Sequence, residues 1–455
     1  MKRFAALALV VAAISLALSC ASGPAKKVVP AAPASTTPGV VATADIPAEV
    51  ADFLKPYAAA TKACRDALIK SATLSSQGKW KSAYQSMDDF DKANSDPYAL
   101  AMKTSLVLRG AVRSEMHRSF SLADLEEGQD LETLRNSEGE YTTFPFDPQA
   151  LADAQAASGI AAPGILSKEL GDYYSEVLGR FSEQWALSDE EILAKIVENY
   201  AKANGAGVFD AASLLNYAET LTRLDRGDDA DAIYQQAIAL DPRNANLLYS
   251  HAMGLSLRGK KQEAMLEIDR AIVAYGEDTA RINAIALGAR TAAELGDEAR
   301  TQAYFAIADK DYPDNPTPGI LRHIIAIAIG NKAAASDVAD ALVATYGSNP
   351  NVVRTLISTW YSAGGAADAR DFLQRNIAKG GNDMTVGTLD FYLAVLIQQD
   401  SPIDADKATA LSALDDAESR FKIALGPENE VFGAIAEIRS ALLATAPPSD
   451  VPPAE

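Results

Sequence analysis

Apolar positions recur at helical spacing along most of this chain, and the pattern itself repeats. In residues 211–242, AASLLNYAETLTRLDRGDDADAIYQQAIALDP, small residues fall at Ala218, Ala230 and Ala237. Larger ones fall at Leu221 and Tyr234, and Pro242 follows. Adding 34 to each number finds Ala252, Leu255, Ala264, Ile268, Ala271 and Gly276. Such a period predicts one helix-turn-helix unit per repeat, helix A then helix B. The small residues let A and B approach closely, and the larger residue at Tyr234 or Ile268 fills the gap between neighbouring repeats. Pro242 stops helix B, because proline lacks an amide proton and clashes with the preceding turn. Gly259 sits at the turn between A and B, where a residue free to take positive φ ends a helix. In the first repeat the glycine, Gly227, comes two residues later, which predicts a locally displaced turn.

The pattern continues more loosely on both sides. Gly296, Phe305, Ala308 and Pro313 keep the register, with Thr301 at one small position. Gly330, Ala335 and Gly347 mark a further unit, and Gly364, Ala369, Leu373 and Gly381 the next. Upstream, Gly78 and Ala83 keep the turn-to-helix spacing, and Leu170, Gly171 and Tyr174 resemble part of another helix A. Residues 120–165 interrupt it with an acidic and then aromatic stretch, which predicts an insertion or a divergent repeat with a surface loop. Near the end, Val431, Ile435, Ile438 and Leu442 lie at helical spacing and predict a cap over the last repeat.

These positions resemble the tetratricopeptide repeat, most specifically over residues 211–313. The resemblance implies an all-α, tetratricopeptide-like α-solenoid with helix A lining a concave surface. It also implies that Asn246, Tyr249, Met253 and Ser256 face that surface, with Tyr249 and Met253 as an apolar spot for a partner. Leu215, Glu219 and Thr222 take the matching places one repeat earlier. The same two apolar residues could instead contact the next repeat.

The N-terminus adds a location. Met1-Lys2-Arg3 precedes an apolar run over residues 4–18, too short for the roughly 20 residues of a membrane span. A basic start and a short apolar run read as a secretory signal. The run ends in LALSC, which resembles a bacterial lipoprotein box with Cys20 as the lipidated residue, although Ala17 and Leu18 depart from the usual pattern. Ala17-Leu18-Ser19 also fits ordinary signal cleavage at the same bond. Residues 20–46 are rich in Pro, Ala, Ser and Thr and read as a tether with a reach of about 30 Å. The chain thus divides into a signal peptide (1–19), the lipidated cysteine and tether (20–46), an N-terminal helical region with the insertion (47–165), repeats (166–400), capping helices (401–445) and a proline-rich tail (446–455).

Composition narrows the partners. Net charge is -20, which disfavours nucleic acid and anionic membrane surfaces. Aromatics make up 7% of the chain, which suits closely packed helices better than sheets. With Cys20 acylated, Cys64 is left alone as a small buried residue.

No catalytic constellation emerges. Residues 254–261, GLSLRGKK, nearly spell a phosphate-binding loop, but Lys261 stands where Ser or Thr should reach Mg²⁺, and the preceding NLLYSHAMGL has helical periodicity. The three histidines, His117, His251 and His323, lack partners at metal-ligand spacing, and His251 reads as an interhelical packing residue. Ser419 and Lys422 match S-x-x-K without companion motifs, and Asp309, Asp311 and Asp314 lack the glycine and glutamate of a calcium loop. The sequence therefore predicts no metal, no cofactor and no enzyme. It predicts a lipid-anchored, periplasm-facing envelope protein, in the outer membrane rather than the inner, whose repeats bind a protein or peptide. The alternative is an accessory subunit of a binding-protein-dependent solute-uptake system, with an enclosed apolar cavity.

Overall fold

The computed structural model describes residues 47–115, 118–137, 139–182, 185–399 and 404–444. The signal run, Cys20, the tether, the tail at 446–455 and His117 lie outside these residues. The described chain falls into two compact units, residues 47–274 and residues 275–444.

The first unit begins with a short helix α1 (Ala48–Phe53), then α2 (Lys62–Ser76), α3 (Trp80–Asn94) and α4 (Pro97–Gly110). A small antiparallel sheet follows, with β1 (Ala111–Glu115), β2 (Ser119–Leu122) and, after helix α5 (Leu131–Asn136), β3 (Phe144–Pro145). Helix α6 (Pro148–Ala157) returns the chain to helices α7 (Gly164–Phe181) and α8 (Asp189–Gly205). Then come α9 (Ala211–Arg223), α10 (Gly227–Leu240), α11 (Ala245–Leu257) and α12 (Lys261–Tyr275). The second unit holds α13 (Arg281–Glu294), α14 (Glu298–Asp311), α15 (Thr317–Ala328), α16 (Lys332–Tyr346), α17 (Pro350–Gly364) and α18 (Ala366–Lys379). It closes with α19 (Asp383–Gln399), α20 (Asp404–Leu425) and α21 (Val431–Leu443).

Each unit is built the same way. A helix packs on its successor and also on the helix after that, as α9 does on α10 and α11, and α17 on α18 and α19. This is the stacking of a tetratricopeptide-like α-solenoid. The contacts rest on small residues. Ala218, Ala230, Ala237, Ala252, Ala264 and Ala271 are all 0% exposed, with Tyr234 at 1% between them. Where α7 meets α8 the small residue is Gly171, and a Cβ there would lie 2.6 Å from the Tyr200 ring.

One C-terminal cap recurs on the A helices. Gly78, Gly259, Gly296 and Gly330 take φ between +73° and +79°, a region that costs only glycine nothing. The next amide then donates back to a carbonyl five residues earlier, as Lys260 does to Leu255 and Asn331 to Ala326. In the first strong repeat the residue in this conformation is Asp225, φ +56°, and not a glycine. Arg226 N–H closes the same bond to Leu221. The turn is therefore not displaced, because aspartate tolerates the left-handed region, and Gly227 simply opens α10. In the unit around Ala369 the left-handed residue is Gly365 rather than Gly364.

The interruption is more ordered than a surface loop. β1 pairs with β2, and β2 with β3, in a three-stranded sheet that packs Phe120 and Phe146 into the core of the first unit. Its strands span two to five residues, too short to show a clear alternation in the sequence.

Replacing Ala230 or Ala264 with Leu should overpack the contact between helices A and B and cost about 1–3 kcal/mol in urea unfolding. Unchanged stability in both variants would show that the two positions are not at a close helix contact.

Candidate functional site

Helices α9 and α11 carry the surface that the repeat register assigns to a partner. Their starts are fixed 34 residues apart by equivalent caps. The Asp210 carboxylate accepts from Ser213 N–H at 2.7 Å, and the Asn244 side-chain carbonyl accepts from Leu247 N–H at 3.2 Å. On α11, Asn246 is exposed, and Tyr249 and Met253 are half-buried. Ser256 is 7% exposed, which removes its hydroxyl from the open surface. Asn246, Tyr249 and Ser256 also take part in interactions within the chain. One repeat earlier, Leu215 and Thr222 are half-buried, and Glu219 accepts a 2.8 Å hydrogen bond from Ser250 on α11. The register thus serves helix stacking and an open face together, with Met253 half-buried on it and Leu257, at the end of the same helix, 61% exposed.

The stretch that imitates a phosphate loop is helix end, turn and helix start. Gly254 lies inside α11, and Gly259 at φ +79° is the turn. Its cations are occupied. Arg258 donates to both carboxylate oxygens of Asp231 on α10, and Lys260 Nζ lies 2.8 Å from the same group. Burial alone would raise the Asp231 carboxyl, but the Arg258 and Lys260 bonds outweigh it and hold it below the usual range. His251, 5% exposed, stacks on Tyr234 with ring centres 4.9 Å apart, and its Nε2 is 3.5 Å from Asp231. Burial pushes its pKa down, against the opposing pull of the Glu267 and Asp231 carboxylates. The other acidic and basic motifs are similarly engaged. Asp309 pairs with Arg322 at 2.6 Å, Asp311 with Arg281 at 2.8 Å, and Lys422 with Glu418 at 2.7 Å.

Two clusters had no sequence signature. Lys103, 4% exposed on α4, sits 2.7 Å from Asp88 and 3.0 Å from Asp91, over the rings of Tyr84 and Phe146. Burial would raise the Asp88 carboxyl, yet the Lys103 and Lys92 bonds hold it low. This group lines a cleft of about 1350 Å³ between α3, β3 and α6. Deeper in the same unit, burial pushes Glu169 up to about 7, with the Lys168 ammonium opposing that rise. Lys168 also pairs with Asp172 and Asp210. Lys103 on α4 meets Asp88 and Asp91 on α3, and Lys168 on α7 meets Asp210 at the start of α9, and such contacts leave no trace in local spacing.

No known protein-family profile matches the chain, and no curated protein matches it significantly. Solved structures of low identity do align. A tetratricopeptide repeat protein from Parabacteroides merdae aligns at 14% identity over 61% of this chain and 99% of its own, with a TM-score of 0.36. The type IV pilus biogenesis factor PilW aligns at 12% identity, over 57% of this chain and 98% of its own, with a TM-score of 0.35. Yeast Tom70 aligns at 12% identity, over 86% of this chain and 84% of its own, with a TM-score of 0.39.

Asp231→Asn should cost about 1–3 kcal/mol at neutral pH, because two cations lose their carboxylate. The folded-state pKa of Asp231 is depressed, so its contribution is present above about pH 4 and disappears as pH falls through the folded value. Urea midpoints from pH 7 to pH 3 should therefore fall more steeply for the unmodified protein than for the variant. Parallel curves would remove the network from the stability of this repeat.

Proposed function

We propose that this chain is a non-enzymatic scaffold of the bacterial cell envelope, anchored by lipid at Cys20 and binding a protein partner through its helix A surface. The observation that carries the binding half is the arrangement on α11. Asn246, Tyr249 and Met253 occupy one face at helical spacing, and the two large side chains are half-buried rather than sealed in the core. Half-buried apolar side chains beside polar ones are the usual anchors of a peptide groove. The cations nearby are tied to Asp231, which leaves recognition to apolar contact and shape. The net charge of -20 favours a neutral or basic partner.

The location half rests on the N-terminal sequence. A short apolar run ending in LALSC, followed by a proline-rich stretch of about 30 Å reach, supports a body tethered away from lipid headgroups. Acyl chains on Cys20 supply about 0.8 kcal/mol per buried CH₂. Ala21 and Ser22 follow the cysteine, which by resemblance to enterobacterial sorting favours the outer membrane.

An uptake accessory subunit is the weaker reading. It calls for an enclosed apolar cavity, whereas the cleft of about 1350 Å³ is lined by charged and aromatic side chains together.

Cys20→Ser should abolish metabolic lipid labelling and release the protein from membranes. Labelling and membrane partition that survive the change would remove the anchor. Separately, Met253→Glu in the full-length protein should lower retention of an envelope partner by about tenfold, the effect of roughly 1.4 kcal/mol. The same partners recovered at the same level would remove the helix A surface.

A further inference from the structure

A second binding element lies outside the repeat register. The insertion between α4 and α7 folds back across α3 and closes one side of the cleft. Tyr84 on α3 meets Phe144 on β3 with ring centres 4.7 Å apart, and meets Phe146 edge-on at 5.9 Å. Phe146 is buried and packs against Phe120 on β2 at 6.4 Å, so the aromatic floor is fixed from below. Tyr84, Phe144 and Tyr141 remain only half-buried and present ring surface to the cleft.

The wall above this floor includes backbone of residues 140–142 that has no backbone partner among the described residues. β3 pairs with β2 on one side, through Phe144 opposite Phe120 and through Phe146 N–H to the Arg118 carbonyl at 2.8 Å. In residues 139–143, which lead into β3, no backbone group bonds to another backbone group among the described residues. The segment is nevertheless held at both ends. Arg113 donates to the carbonyls of Arg135 and Ser137 and lies 5.1 Å from the Tyr141 ring centre, while Phe144 is fixed on Tyr84. Between these anchors Thr142 and Thr143 are exposed. Peptide N–H and C=O groups held in place and left open are a template for an added strand. Pro145 has no N–H to offer, so pairing is confined to the residues before it.

The charges of the cleft favour a peptide over an ionic small molecule. Lys103 is neutralised by Asp88 and Asp91, and Arg118 by Asp147. Asp124 is engaged by the Ser82 amide and hydroxyl. What is left for a ligand is ring surface, backbone, the Gln155 side-chain carbonyl, which has no partner among the described residues, and the rim residues Lys81 and Glu140, one of each sign.

We propose that this cleft binds an extended peptide segment of a partner protein, which pairs its backbone with residues 140–143 and sets alternate apolar side chains on Tyr84 and Phe144. This site is distinct from the helix A surface and does not depend on it.

The test uses the full-length protein and a fluorescent array of hexapeptides that alternate Val, Leu or Phe with Thr, Lys or Glu. Members with apolar residues at every second position should bind, and a binder N-methylated on the pairing amides should lose at least about tenfold in affinity. Thr142→Pro removes one edge donor at an exposed position without breaking a described bond, and should lower affinity similarly with an unchanged circular dichroism spectrum. Met253→Glu should leave peptide binding intact. Absence of any binder, equal affinity for the N-methylated form, or unchanged affinity in Thr142→Pro would each overturn the proposal. Displacement of the binder by a synthetic peptide of residues 21–46 at equal affinity would identify the chain's own tether as the occupant and overturn the partner assignment.

Discussion

Everything in this molecule depends on how closely two helices approach at alanine. Ala218, Ala230 and Ala237 bring α9 and α10 together with no solvent between them, and Ala252, Ala264 and Ala271 occupy the same places in the next repeat. Interiors pack at crystal-like density, so one added methylene at such a contact must displace backbone. A close approach of this kind fixes the spacing between helices, and the spacing fixes where every other side chain of the repeat points. The left-handed residue at the end of helix A serves the same constraint. It reverses the chain within a few residues and satisfies the carbonyls that the helix end would leave open.

The acidic charge of the chain is organised around these contacts. Single carboxylates on B helices collect several cations, as Asp231 does with Arg258 and Lys260, and as Asp340 does with Arg375 and Lys379. Many of the cations therefore tie elements together, while the excess of acid faces solvent. This explains why the stretch with the spacing of a phosphate loop has no chemistry of that kind. Its arginine and lysine reach back to helix α10, and its glycine is a helix cap. A motif defined by spacing alone cannot distinguish these uses, because both need a residue free to take positive φ followed by a cation.

The insertion follows a different logic. It adds a small sheet whose aromatic residues pack on α3, and it sets Phe146, beside Tyr84 of α3, against the ammonium of Lys103, which α4 holds between the carboxylates of Asp88 and Asp91. Fully paired, such a buried charge is tolerated, and one lost partner would leave it costly. The cleft is therefore rigid on its floor, while its edge keeps unpaired backbone. That combination of a preset surface and open hydrogen-bonding groups lowers the ordering cost of binding an extended chain.

The repeating helices were legible in the sequence because they arise from local periodicity. The 34-residue return of alanine, turn and large apolar residue specifies helix pairs and their register without reference to anything distant. Asp225 in place of a turn glycine was not legible, since aspartate adopts the left-handed conformation only where the surrounding helices demand it. The short strands, the burial of Ser256, the engagement of Glu219 by Ser250 and the Lys103 cluster were hidden for a related reason. Each depends on residues many positions apart meeting in space, and the energy of those meetings is not encoded in any one segment. The sequence by itself determined the helices, their order and the small residues at their contacts, because propensity and periodicity act within a few turns. Only the tertiary structure decided which polar groups are paired, which apolar ones stay open and where a cleft forms, because those outcomes follow from packing of elements against one another.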